Sequence, residues 1–194
     1  MPKKNIDFSD SETPQSFDIF EDHILIPKIR VPILVGKGGA SKKKIEQAGN
    51  VKLLVQAEGE VTIKAQDALE LSVAKDVIEA IGRGFNPSVA MKLFKEDYGL
   101  DILSVADFGA KTRSRRIEIK GLVIGNEGKT KRVLERITGA NICVYGKTIA
   151  IIAPTDCIQT ARQAVEMFLT GSKHASVYRF LERKTGEKVE DGEQ

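Results

Sequence analysis

The stretch "GKGGASKKK", residues 36–44, runs a glycine-rich turn straight into a basic segment with helical spacing. A second stretch, "GNEGKTKR" at 125–132, repeats the pattern. Gly36 falls on Gly125 and Gly39 on Gly128, both at an offset of 89. Ser41, Lys42, Lys43, Ile45 and Glu46 then fall on Thr130, Lys131, Arg132, Leu134 and Glu135. After one or two deletions the match resumes, with Ala74 against Ala161 and Ile78 against Val165, and "PSVAMKLFK" (87–95) echoes "ASVYRFLER" (175–183). Two copies at so long a period indicate a tandem domain duplication rather than a solenoid.

Each copy reads alike. A β-branched run ("HILIPKIRV" or "SRRIEIK") predicts a strand, and a short apolar segment ("PILV" or "GLVI") leads to the glycine turn. A helix follows over "ASKKKIEQA" or "KTKRVLERIT", stopped by "GN" at 49–50 and "TGAN" at 138–141. Two strands come next, "VKLLVQA" and "EVTIKA", then "NICVYG" and "TIAIIA" in the second copy. A long amphipathic helix closes each unit, with Leu69, Val73, Val77, Ile78 and Ile81 on one apolar face and Ile158, Ala161, Val165 and Phe168 on the other. Asp67, and Thr155 or Asp156, are the expected caps. The order β-α-α-β-β-α, twice, predicts an α+β fold of three-stranded antiparallel sheets backed by helices. The expected organisation is an acidic flexible tail (1–22), a first unit (23–85), a helix and connecting segment (86–113), a second unit with a C-terminal helix (114–183) and an acidic flexible tail (184–194).

At 194 residues and 41% hydrophobic content, the chain can bury a core. No apolar run reaches roughly 18 residues and no leader is recognisable, so a soluble cytoplasmic protein, monomeric and away from membranes, is expected. Cys143 and Cys157 lack metal-type spacing and read as buried thiols. Net charge is only +3, yet 1–22 carry −4 and 184–194 carry −2, which leaves +9 on the body. Such a body suits a polyanion, although a lysine-rich solubilised surface has the same composition.

The turns do not carry nucleotide-binding chemistry. A P-loop needs G-x-x-x-x-G-K-[ST], and the upstream glycine required by Gly128-Lys129-Thr130 is Val123. No G-x-G-x-x-G, G-x-S-x-G or H-E-x-x-H occurs, and neither His23 nor His174 has a ligand partner, so we expect no catalytic group, metal or cofactor. The nucleic-acid reading fits better. Gly36 and Gly125 allow a tight turn and a close sugar-phosphate approach, and the helix that follows points its free N–H groups at the phosphates. Lys37, Lys42, Lys43, Lys129, Lys131 and Arg132 add positive charge there. A single Gly-x-x-Gly could be merely a helix–turn–helix corner; two, each followed by basic residues, favour the binding role.

These residues resemble the type I KH domain, whose G-x-x-G loop between two helices clamps single-stranded RNA. "ILVGKGGASKKKIE" and "LVIGNEGKTKRVLE" carry the resemblance, and the whole chain, with "ADFGAKTRSRRIEIKG" and "SVYRFLERK", is similar to the archaeal counterpart of the partner-of-Nob-one family. The resemblance implies two tandem type I KH domains and binding near the 3′ end of small-subunit (16S) rRNA during ribosome maturation. It also implies partnership with the Nob-one endonuclease and the alpha subunit of translation initiation factor two. It places the clamps at Gly36-Lys37-Gly38-Gly39 and Gly125-Asn126-Glu127-Gly128. The base grooves would be walled by Ile33, Val35 and Leu54, and by Val123, Ile124, Ile142 and Val144. Glu127 is an unexpected acid inside the second clamp, and Leu122 stands where this family leads one to expect a basic residue. A protein-binding scaffold and a KH protein for messenger or exosome RNA remain as alternatives.

Overall fold

The computed structural model describes residues 19–110 and 112–186, which form two α+β units. The first unit opens with β1 (Phe20–Leu25), α1 (Val31–Val35) and α2 (Ala40–Gly49), and continues with β2 (Val51–Val55), β3 (Glu60–Ala65) and α3 (Ala68–Gly82). A short α4 (Pro87–Ala90) and one 3₁₀ turn lead to β4 (Tyr98–Ser104). The second unit goes on through α5 (Arg113–Ile124), α6 (Lys129–Thr138), β5 (Asn141–Tyr145), β6 (Thr148–Pro154) and α7 (Thr155–Leu169), and α8 (His174–Thr185) follows. Both sheets are three-stranded and antiparallel with the last strand in the middle, β1-β3-β2 and β4-β6-β5.

Local chemistry sets the boundaries. Asn50 (φ 51°) and Gly139 (φ 66°) end α2 and α6 in the left-handed region. The Asp67 carboxylate caps α3, accepting from the amides of Leu69 (2.7 Å) and Glu70 (3.2 Å). Neither Thr155 nor Asp156 caps α7: Pro154 holds the cap position, and Thr155 donates its amide (2.8 Å) and hydroxyl (3.1 Å) to the Asp97 carbonyl. Leu69 points to solvent at 72% exposure instead of joining the core face of α3.

The larger correction concerns the second unit's first strand. "SRRIEIK" is helix, within α5, and the strand is "YGLDILS", inside the segment expected to be a helix and connector. The alternation of Ile117 and Ile119 mimics a strand, but Ile117 is exposed, while Ile119 and Val123, four apart, are buried. Thr112 caps this helix by accepting from the Arg115 amide (3.2 Å). An ion pair confirms the true alignment. In the first unit Lys75 Nζ donates to Asp22 (2.6 Å), tying α3 to β1; in the second, a terminal nitrogen of Arg162 on α7 donates to both carboxylate oxygens of Asp101 on β4, at 2.7 and 2.8 Å. Asp22 and Asp101 stand 79 apart, whereas the glycine turns stand 89 apart, so ten extra residues separate strand from turn in the second copy.

Of the expected acidic tails, residues 1–18 and 187–194 lie outside the described residues, Phe20–Asp22 are strand, and Lys184–Thr185 are helix. Both cysteines are free and half-buried.

Two cores result, and they are not equivalent. Ile149, Ile151 and Ala153 of β6 face α5–α8, while the alternate residues Ala150 and Ile152 pack into the first unit's core with Phe85, Ala90 and Leu93. The second sheet is therefore buried on both faces, and its central strand reads as a continuous apolar run. The first sheet keeps an open outer face with Lys52, Leu54, Lys64 and His23. Between the units Arg30, 8% exposed, donates Nε to the Ile81 carbonyl (2.8 Å) and a terminal nitrogen to that of Phe85 (2.5 Å). Its guanidinium lies 5.9 Å from the centre of the Tyr145 ring, so this buried cation is held by the C-terminal end of α3 and an aromatic face.

Candidate nucleic-acid interface

The two glycine turns are built alike. Gly36 and Gly125 both have φ 72° with extended ψ. A Cβ on Gly36 would meet the Ser41 hydroxyl and lie 2.9 Å from the Ser41 amide; on Gly125 it would meet the Thr130 hydroxyl and lie 2.7 Å from that amide. The aligned Ser41 and Thr130, to which sequence reading gave no role, are thus the second half of the motif: they seal the inner side of the turn. Gly39 (φ 79°) and Gly128 (φ 76°) begin the following helices from the left-handed region; a Cβ on Gly39 would meet open space, and one on Gly128 would lie 3.8 Å from the Arg132 guanidinium. Each turn is closed by a bond from the fourth residue's amide to the first residue's carbonyl, 3.2 Å in one and 3.3 Å in the other.

Between those glycines the copies diverge. Gly38 has φ 60°, and its counterpart Glu127 has φ 48°, a conformation that strains a side-chain-bearing residue. Lys37, Gly38, Asn126 and Glu127 are all exposed, so both turn tips are open to a ligand. Lys43, Lys129 and Arg132 are exposed as well. Lys42 and Lys131, one turn into their helices, lean on Glu46 (3.9 Å) and Glu135 (3.6 Å). Those two glutamates have a further duty, accepting from the amides of Leu53 (2.9 Å) and Ile142 (2.7 Å) and so fixing each helix to the strand after it.

The expected base grooves are placed unevenly. Ile33, Val35 and Val144 are half-buried, Ile124 is 37% exposed and Leu54 is 52% exposed, so these five can be reached by a ligand. Val123 and Ile142 are not groove walls: both are buried at 0–1% exposure inside the second core, Val123 one residue before the accessible Ile124 and Ile142 deeper than Val144 on the same face of β5. Leu54 and Cys143 follow the equivalent residues Leu53 and Ile142, and their settings differ. Leu54 is exposed, whereas Cys143 packs against the first unit, where a Cβ on Gly84 would come within 2.7 Å of its sulfur; burial raises the thiol's pKa.

Charge separates the units further. From 113 to 148 the second unit carries nine basic residues against three acids. From 28 to 60 the first carries seven against three, and one of the seven is the buried Arg30. The β2–β3 hairpin carries Glu58 and Glu60, and the β5–β6 hairpin carries Lys147.

A mixed α+β pair of three-stranded sheets, each with a glycine-bounded turn between two helices, defines tandem type I KH domains. The family model for the second KH domain of the PNO1 proteins, a eukaryotic-type KH domain (KH-domain type I), matches residues 100–186. The KH domain-containing protein MJ0443 of Methanocaldococcus jannaschii is 47% identical over 163 residues, 82% of this chain and 71% of that one. The RNA-binding protein pno-1 of Caenorhabditis elegans is 29% identical over 125 residues, 63% of this chain and 45% of the nematode protein. A crystal structure of an a/eIF2alpha–aDim2p–rRNA complex from Pyrococcus horikoshii contains a chain that superposes with a TM-score of 0.82 at 39% identity, covering 88% of this chain and 97% of that one. The chain belongs to this archaeal family of KH-domain proteins, the counterpart of partner of Nob one.

Among the described residues no cluster of His, Cys, Asp and Glu could hold a metal, and no helix is long and apolar enough to cross a membrane.

Proposed function

We propose that this protein is a non-enzymatic cytoplasmic adaptor that binds single-stranded RNA in the 3′ region of small-subunit rRNA, and that its second unit does most of the reading. The observation that carries this is the Gly125–Gly128 turn: a strained, exposed tip followed directly by a helix whose first turn carries Lys129, Lys131 and Arg132. In this reading the backbone amides and Lys129 and Arg132 hold phosphates while Ile124 and Val144 contact bases. Two relatives support the RNA and factor partners, one named as RNA-binding and one crystallised with a/eIF2alpha and rRNA. On the same grounds we propose the initiation-factor alpha subunit as a partner. The Nob-one endonuclease and a monomeric state are extensions resting on the family alone.

The test is fluorescence anisotropy with a strand from the 3′ end of small-subunit rRNA, against a scrambled strand and a duplex, at several salt concentrations. Preference for the native strand, with affinity falling as salt rises, is expected. Equal weak binding of all three would favour a protein-binding scaffold.

A further inference from the structure

Where the two units meet, an open cleft of about 670 Å³ lies between the end of β1, one face of α3 and the β5–β6 hairpin. We propose that this cleft holds one or two further nucleotides of the strand gripped by the second glycine turn. The inference rests on the RNA reading of that turn and extends it.

Continuity favours this occupant. Val144 and Tyr145 are neighbours on β5 and face opposite sides of the strand, Val144 toward the second core and groove, Tyr145 toward the first unit. The hairpin is tied to the helix that leads into the turn, since Lys120 Nζ donates to the Gly146 carbonyl (2.9 Å) five residues before Gly125. A strand leaving the groove along β5 therefore meets the cleft at Tyr145 and Lys147.

The lining chemistry suits a nucleotide. Leu25, 76% exposed, and Pro27 offer an apolar wall. Tyr145 offers an aromatic surface already fixed from beneath by Arg30. Lys75, Arg83 and Lys147 supply three positive charges against one acid, Glu79. Lys75 and Arg83 each hold one carboxylate, from Asp22 and Glu79, whereas Lys147 has no ion pair among the described residues. The volume falls within the ~300–1,000 Å³ typical of small-ligand clefts. An acidic peptide would satisfy the cations but leaves the aromatic surface and the link to the groove without a role.

The experiment uses the full chain and rRNA strands with 4-thiouridine at successive positions, cross-linked by near-ultraviolet light and mapped by peptide mass spectrometry. Inner positions should label the Gly125–Arg132 peptide, and positions one or two nucleotides beyond should label the Tyr145–Lys147 peptide. Lys147→Glu should weaken the long strand about tenfold. It should leave a strand trimmed to about four nucleotides unchanged, and Lys147→Arg should restore the long strand. Labels confined to the turn peptide, with full affinity in Lys147→Glu, would remove the cleft while leaving the RNA reading standing. No RNA binding at all would remove both. Lys147-dependent binding of a polyglutamate peptide, without RNA labels at the hairpin, would overturn the nucleotide proposal in favour of a protein site.

Discussion

The two halves of this chain carry one turn on two different supports. In the first unit a five-residue α1 enters the turn and the sheet's outer face is open. In the second, a twelve-residue α5 enters the turn and the sheet is packed on both sides. The ten residues inserted between strand and turn account for the longer helix: they extend α5 backward and bring Arg113, Arg115 and Arg116 with them. Duplication supplied the same backbone device twice, and what surrounds each device divides the labour. The first unit clamps the second sheet by packing Phe85, Ala90 and Leu93 with Ala150 and Ile152 and by setting Arg30 against the Tyr145 ring, so it works as a brace as well as a binding fold.

The brace can be broken most severely at Arg30. Arg30→Met leaves the Phe85 carbonyl without its partner and should lower unfolding free energy by about 2–4 kcal/mol, measured by denaturant titration. The same offset of 89 places Ile119 opposite Arg30, and Ile119→Val, a simple loss of one buried methyl group, should lower it by only about 1 kcal/mol. Equal effects would mean that Arg30 is not a special junction residue.

A smaller effect is expected at the turn tips. Glu127→Gly relieves left-handed strain and should raise stability by about 0.5–1 kcal/mol after the entropy of glycine is subtracted. Gly38→Glu should lower it by a similar amount in the first unit. Removing the acid should also tighten RNA binding several-fold in the second unit, read by anisotropy. Unchanged affinity would show that Glu127 points away from the phosphates.

The duplicated ion pair gives the smallest effect. The Lys75 ammonium, hydrogen-bonded to Asp22, holds that carboxyl below its ordinary 3.8. A lowered carboxyl stabilises the fold above its unfolded pKa, and that contribution is lost as pH falls through the folded value. Both groups are well exposed, so the effect is slight. Asp22→Asn should lower the melting temperature slightly at neutral and mildly alkaline pH, and the gap to the parent should close on acidification below about pH 4, where the parent's own carboxyl takes up its proton.

How far the residues revealed all this depends on what each feature rests upon. The turns, the ten-residue helices, the hairpins and the Asp67 cap were legible because each follows from local backbone chemistry: glycine for positive φ, a carboxylate for free amides. Strand β4 was not, because Ile117 and Ile119 alternate as strand residues do while the true strand lay ten residues out of register with the repeat. The groove assignment failed at Val123, one residue before the accessible Ile124, and at Ile142, which shares a face with Val144 but lies deeper; only packing decides which apolar side chains the core covers. Arg30 could not be read at all. A basic residue near a helix start looks solvated until two distant carbonyls and a tyrosine are brought to it.

The central claim, that the second turn reads RNA and the first mainly braces it, is tested most directly by placing charge in each turn separately. Affinity for the rRNA 3′ strand should be measured for Asn126→Asp/Glu127→Asp and for Lys37→Asp/Gly38→Asp, with circular dichroism confirming that both variants fold. The account predicts a loss of about tenfold or more in the second-unit variant and no more than about threefold in the first. A larger loss in the first-unit variant, or no loss in either, would contradict it.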